Sequence, residues 1–459
     1  MKKTLALVLA LLLASAAALA ASAVYAGAES ESVEYTPTVL AGSEDAAAGL
    51  ELTLERAWLN WSGGRGYPRP YWRTVWTKDG SETEFELLTE LNYYPEYDGY
   101  TGVNMYIDYS SSHDDEGYWL NRAFDDLAAE VEPGSSGDKY IRVADYTDYY
   151  PLAFDIDMPG YTEMLMPTDV PYLEPQQAAD YEALSEFFRI PVLDTETISI
   201  SLEKDNEGRV FSRGSASGGE DAIQVYGESA VIGNCAYIVL PYEGETPDFS
   251  LIPGGYGIYR LPFSDGKMLT DELENVYPMD SGAQVLGITA MDCGRLALHT
   301  YENGAYVLTV IDTESFAAVQ RLVLLSFDYE NMWYTITECD GFMVLVVDDG
   351  TFSVAAEENG LYDLRMSGDG MAWAGNADAV DYEYALSGGR LAVAGNVRGD
   401  DGWVYDRAAC GFYLAVYEGA DARLAYHGVY SSTLDEVSVN EAYGPVIADM
   451  YDVGIRFTD

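Results

Sequence analysis

Polar and apolar residues alternate one for one through Leu50-Glu51-Leu52-Thr53-Leu54 and again through Thr197-Ile198-Ser199-Ile200-Ser201-Leu202. A period of two sends every second side chain to one face, so both segments predict strands with a single buried face. Asp205-Asn206-Glu207-Gly208 supplies turn residues ahead of Arg209-Val210-Phe211, which predicts a hairpin. Lys78-Asp79-Gly80, Asp265-Gly266 and Asp349-Gly350 punctuate further hairpins. Helical spacing occurs twice. Asn121 is placed to cap a segment whose Phe124, Leu127 and Val131 share a face, ended by Pro133-Gly134. A second segment follows Pro175, carries Tyr181, Leu184, Phe187 and Phe188 as its stripe, and stops at Ile190-Pro191. Both stripes have the spacing of packing faces.

The strand pattern becomes periodic towards the C-terminus. Cys293-Gly294-Arg295-Leu296-Ala297-Leu298, Asp340-Gly341-Phe342-Met343-Val344-Leu345 and Gly388-Gly389-Arg390-Leu391-Ala392-Val393 repeat one phrase, with aligned glycines 47 and 48 residues apart. Within the first unit, Ile288 to Met291, Leu296 to Thr300, Tyr306 to Ile311 and Val319 to Leu325 predict four strands. Tyr334 to Thr337, Phe342 to Val347, Thr351 to Ala355 and Leu361 to Met366 repeat the plan. The third unit runs from Tyr382 through Leu391-Ala392-Val393 and Phe412 to Tyr417 to Leu424-Ala425-Tyr426. An earlier, looser unit shows Ala236 to Leu240 and Tyr256 to Leu261. Four strands in about 40 residues is the size of one propeller blade.

On these units, about residues 225–430, the chain resembles bacterial β-propellers at the level of pattern. The fold class this implies is mainly β and propeller-like, with about 6–8 four-stranded blades and two short helices in the N-terminal half. Residues 50–219 are then either divergent blades or a separate β-rich domain, with 220–459 as the repeats. Arg213 to Gly219, rich in Gly and Ser, is the joint between them. The strand at Leu50 to Leu54 or the tail at Gly454 to Phe457 is expected to complete the ring.

Lys2 and Lys3 precede the apolar run Leu5 to Leu13, and Ala18-Leu19-Ala20 or Ala21-Ser22-Ala23 offer small-residue cleavage triplets. Residues 1–23 therefore predict a signal peptide, with an uncleaved signal anchor as the alternative, and 24–49 a flexible tether. The chain is expected outside the cytoplasm, secreted or surface-held, with no further membrane insertion. Its 77 acidic residues face 24 basic ones, for a formal charge of −53. Such a surface repels phosphate backbones, so nucleic acid is excluded as a partner. With 38 tyrosines and 48% apolar residues, the chain is nevertheless a folding one. Four cysteines, Cys235, Cys293, Cys339 and Cys410, lack the paired spacing of a zinc site.

No nucleophile elbow, zinc-protease helix or phosphate loop occurs. No catalytic residue is assigned, and a non-catalytic role is the expectation. The loop Asp108-Tyr109-Ser110-Ser111-Ser112-His113-Asp114-Asp115-Glu116 offers hard oxygens that suit Ca²⁺, with Asp108, Asp114, Asp115 and Glu116 as ligands. Asp155-Ile156-Asp157 is a weaker candidate. Of three histidines, His299 falls in a predicted strand and reads as structural. Aromatics cluster between Trp58 and Trp76, in Tyr93 to Tyr109, and in Tyr146, Tyr149 and Tyr150. Such rings fill strand faces, and they also suit wet recognition surfaces. Trp61, Tyr67, Tyr71 and Trp72, around a Gly/Pro-rich turn, are the candidate ligand contacts. A glycan or a surface protein is the expected partner; a carbohydrate-active enzyme with a carboxylate site at a propeller centre is the alternative.

Overall fold

The computed structural model describes Ser15 and residues 35–59, 69–88, 101–109, 118–217, 223–280, 282–329, 332–371, 379–397, 411–432 and 447–458. The architecture is mainly β, with antiparallel sheets, three of them four-stranded, and, among the described residues, two α-helices in the N-terminal half. The chain divides into two compact units, residues 1–95, 330–358 and 362–459 in one and 96–329 with 359–361 in the other.

In the first unit, Tyr334–Cys339, Phe342–Val347, Phe352–Glu358 and Leu361–Gly368 form an up-and-down four-stranded sheet. Ala379–Ser387, Arg390–Val397, Gly411–Glu418 and Arg423–Ser432 form the next, with Tyr35–Gly42 added at its edge. That edge strand lies within the segment read as a tether. It binds through its backbone, and Val39 and Leu40 stay exposed, so no buried alternation announces it. A third sheet joins the two ends of the chain: Ile447–Phe457 pairs with Leu50–Leu59, from Leu50↔Phe457 to Leu59↔Ile447, followed by Arg69–Thr77 and Gly80–Leu88. The two segments offered by the sequence as alternatives, Leu50 to Leu54 and Gly454 to Phe457, thus pair with each other in one sheet. Leu50, Leu52, Leu54 and Trp76 of this sheet pack against Phe412, Leu414 and Tyr430 of its neighbour. Phe412 and Tyr430 stack at 4.5 Å, with the Trp76 ring edge-on to both.

In the second unit, Gln284–Ala290, Arg295–Glu302, Ala305–Asp312 and Ala317–Ser326 form a sheet whose two middle strands are buried on both faces. Double-sided burial explains their continuous apolar runs, whereas the outermost strand is largely exposed. Gln224–Ile232, Cys235–Val239, Gly257–Ser264 and Glu274–Pro278 repeat the meander. Gln224–Ile232 also pairs with Gly102–Ile107, which continues to Leu152–Met158 and Tyr161–Leu165, so residues on both sides of Gly219 share one nine-stranded sheet. The helix Trp119–Glu130 covers a smaller sheet of Ser136–Arg142, Thr197–Lys204 and Val210–Ser217, burying Phe124 and Leu127 against Ile198 and Ile200. Asn121 is not its cap. Tyr118 holds that position, and Asn121 sits in the first turn, buried, accepting from Arg213 Nη1 at 2.8 Å. The helix Pro175–Phe187 starts with a capping box between Glu174 and Gln177 and buries Leu184, with Phe188 just beyond its end.

Candidate functional site

The sequence-predicted contacts separate. Trp61 and Tyr67 lie outside the described residues, as do Asp114, Asp115 and Glu116. Tyr71 and Trp72 lie in the strand Arg69–Thr77 rather than in a loop, Tyr71 opposite Ala57 and Glu86, Trp72 opposite Arg56 and Phe85. Pro70 is no obstacle, because proline is tolerated at the start of a strand. Asp108 follows Gly102–Ile107, is buried, and donates its backbone N–H to the Pro151 carbonyl at 2.9 Å. Among the described residues no three His, Cys, Asp or Glu side chains are placed to hold a metal ion. His299 is buried between Tyr306 Oη at 2.7 Å and Thr289 Oγ1 at 3.2 Å, and burial pushes its pKa down to about 4. Cys235, Cys293 and Cys339 are free thiols, and burial pushes the Cys339 thiol up to about 12.

A polar and aromatic surface forms elsewhere, on the outward face of the sheet that holds Gly102–Ile107. Strand alternation sends Val103, Met105, Leu152, Phe154, Ile156 and Val225 inward. The same alternation leaves Asn104, Tyr106, Asp155, Asp157, Thr162 and Met164 on the other face, half-buried or exposed. Tyr226, 40% exposed, lies directly opposite Tyr106 across the strand pair. This contact depends on Gly227, where a Cβ would stand 2.6 Å from the Met105 Cβ. Only two residue pairs join the strands before they diverge, Gln224 and Val225 turning to Glu243 and Tyr242, Glu228 to Val239. A cleft of about 470 Å³ opens along the seam, lined by Asn104 to Ile107, Tyr109 and Ile223 to Glu228.

Carboxylates border both rings. Burial first, and then the Asp108 and Asp155 charges, raise the Tyr106 hydroxyl above the usual tyrosine range. Burial and the Glu243 charge do the same for Tyr226. Tyr106 Oη reaches Met166 Sδ at 3.5 Å, and Asp157 Oδ1 accepts from Thr162 Oγ1 at 2.7 Å. Asn104 and Gln224 add amide donors and acceptors at the cleft wall.

Beneath the cleft lies Glu196, 3% exposed. It accepts from Tyr109 Oη at 3.3 Å, Tyr150 Oη at 3.4 Å and the Ile223 N–H at 3.2 Å. Burial holds its carboxyl above the ordinary range despite these donors. Tyr109 and Ile223 line the seam cleft, while Tyr150 lines a second cleft of about 560 Å³ with Tyr149, Tyr181 and Arg189. Glu196 therefore ties together the walls of two clefts. Tyr106, Tyr109 and Tyr150 belong to clusters evident in the sequence. Tyr226 and Glu196 carried no local signal, since only strand register and burial single them out.

No protein-family model matches the chain, and no curated protein matches it. Among solved structures, the N-terminal domain of Nup159 is similar at 9% identity and a TM-score of 0.24, over 58% of this chain and 62% of that one. The chain thus spans about three fifths of that domain's length. A Lactobacillus plantarum protein is similar at 8% identity and a TM-score of 0.28, over 88% of this chain and 99% of that one. The Myceliophteria thermophila Cps50 (Swd1) beta-propeller domain follows at 11% identity and a TM-score of 0.20, over 54% and 93%.

Proposed function

We propose that this protein is an exported, non-catalytic binding module that recognises glycan through the Tyr106–Tyr226 face. One observation carries the reading: two tyrosines opposed across adjacent strands stand at the edge of an open cleft, with amides and carboxylates beside them. Flat rings bury a sugar's C–H face at little cost in side-chain entropy, and the polar neighbours can take its hydroxyls. The positive n-region and apolar run at residues 1–23 support export. No helix among the described residues is long and apolar enough to cross a membrane.

A glycosidase needs two carboxyl groups about 5 to 10 Å apart, one as acid and one as base or nucleophile. Glu196 has the raised pKa such an acid would need, but two hydroxyls and an amide already occupy it. Its geometry supports a positioning role for the cleft walls.

The test is binding of the chain from Val24 to an array of glycans, with retained glycans weighed for cleavage. Binding without cleavage, lost in a Tyr106→Ala/Tyr226→Ala variant and kept in a Tyr71→Ala/Trp72→Ala variant, is the expected result. Cleavage would replace the module with an enzyme. Loss only in the Tyr71/Trp72 variant would move the site to the strand Arg69–Thr77.

A further inference from the structure

The face around Tyr106 and Tyr226 has a one-sided charge. The strands that build it, Gly102–Ile107, Leu152–Met158, Tyr161–Leu165 and the Gln224–Glu228 stretch, contain no Lys, Arg or His. Asp155 and Asp157 stand on its outward side, Asp108 and Asp155 act electrostatically on Tyr106, and Glu243 acts on Tyr226. Each ring thus has a carboxylate within electrostatic reach. An ammonium group is attracted to the face of an aromatic ring and gains further from a carboxylate that accepts its hydrogens. A uronate or a sulfated sugar would meet the same carboxylates as repulsion.

Resting on the glycan reading above, we propose that this face selects sugars carrying free amines: hexosamine chains without their N-acetyl groups, in preference to acetylated or uronate chains. The sugar ring would lie against Tyr106 and Tyr226, and its ammonium groups would meet Asp155 and Asp157. Acetylation removes the charge and the ammonium donors together, leaving the rings and the amides to bind what remains.

Calorimetry with the purified chain can compare a glucosamine hexamer, its N-acetylated counterpart, a galacturonate oligomer and spermine, in mildly acidic low-salt buffer. The glucosamine hexamer should bind about tenfold more tightly than the acetylated one, the weight of one charge-assisted hydrogen bond. Galacturonate should not bind, and added salt should erase the preference. In an Asp155→Asn/Asp157→Asn variant the ratio of the two affinities should fall towards one, since the asparagine oxygens can still accept from sugar hydroxyls but carry no charge for the ammonium. Both residues are only half-buried on an outward face, and an unchanged unfolding midpoint verifies that the variant folds. Equal binding of the two hexamers would overturn amine selection and leave the glycan reading standing. Spermine binding as tightly as the glucosamine hexamer would also overturn it, by showing that the sugar ring plays no part. Failure of every sugar to bind would remove both readings.

Discussion

At the scale of single residues, Gly227 is the exacting position beside the Tyr106–Tyr226 pair. Its φ does not require glycine, but its neighbour does: the Met105 Cβ leaves no room for a methyl group. Gly227→Ala must push the two strands apart at one of the two residue pairs that join them. The overpacking cost is about 1–3 kcal/mol. Glycan binding should fall with it, because Tyr226 moves relative to Tyr106; urea unfolding and the array measure the two effects separately. His299 makes a different prediction. A histidine whose folded pKa lies below its unfolded value leaves the folded chain with fewer protons than the unfolded one. Its stabilising effect is complete above the ordinary value of 6.5 and is lost as pH falls through about 4. The loss amounts to about 3 kcal/mol over that window, from 1.36 kcal/mol per pKa unit. His299→Gln, which can still bond Thr289 and Tyr306, should flatten this part of the stability curve; an identical curve would show that other groups set the acid limit. Glu196 works in the opposite sense. Its raised pKa means that stability is lost as pH rises above the ordinary carboxyl range, so Glu196→Gln should weaken that loss, although the Ile223 N–H needs the amide turned to present its oxygen.

At the scale of elements, the repeated glycines show what a phrase in the sequence encodes. Gly294, Gly341 and Gly389 all have φ of 76°, each at the turn before the second strand of its sheet. No atom lies near the site of an added Cβ at any of the three, so only the left-handed backbone demands glycine. Gly294→Ala or Gly341→Ala should therefore cost about 1–2 kcal/mol each, with no change in the sheet, as read from denaturant midpoints. Gly233, with φ of 62°, lies in the turn between Gln224–Ile232 and Cys235–Val239 but one residue farther from the second strand, so that looser unit was legible only from its apolar runs. Sequence periodicity located these meanders because their inner strands are buried and their turns need glycine. It placed Tyr71 and Trp72 in a loop because Gly and Pro nearby resemble turn punctuation. It missed Asn121's true position because a polar residue near a helix start reads as a cap. The opposition of Tyr106 and Tyr226 had no signal at all, since 120 residues separate them and register is decided by pairing across that distance.

At the scale of the whole chain, the pairing of Ile447–Phe457 with Leu50–Leu59 joins residues farther apart in sequence than any other strand pair among the described residues, and it has a physical logic. A long open strand offers its backbone to other chains, and the pairing covers Leu50–Leu59 and leaves Ile447–Phe457 as the outer strand in its place. The partner strand also holds Leu50, Leu52 and Leu54 over Phe412 and Tyr430, so closure and core formation are one event. The energetic weight of such a closure falls late in folding, because loop entropy must be lost before the distant ends meet. A chain ending at residue 446 should therefore expose Leu50–Leu59 as an edge, become sensitive to proteolysis between residues 50 and 88, and self-associate. The acidic surface will resist that association at low salt, so raising the salt should increase it as charge repulsion is screened. A synthetic peptide of residues 447–458, added in excess, should restore protease resistance by taking the vacant register. If the shortened chain stays monomeric and resistant in high salt without the peptide, the closing strand contributes little. The stability of that sheet would then reside in the packing of Trp76 against Phe412 and Tyr430.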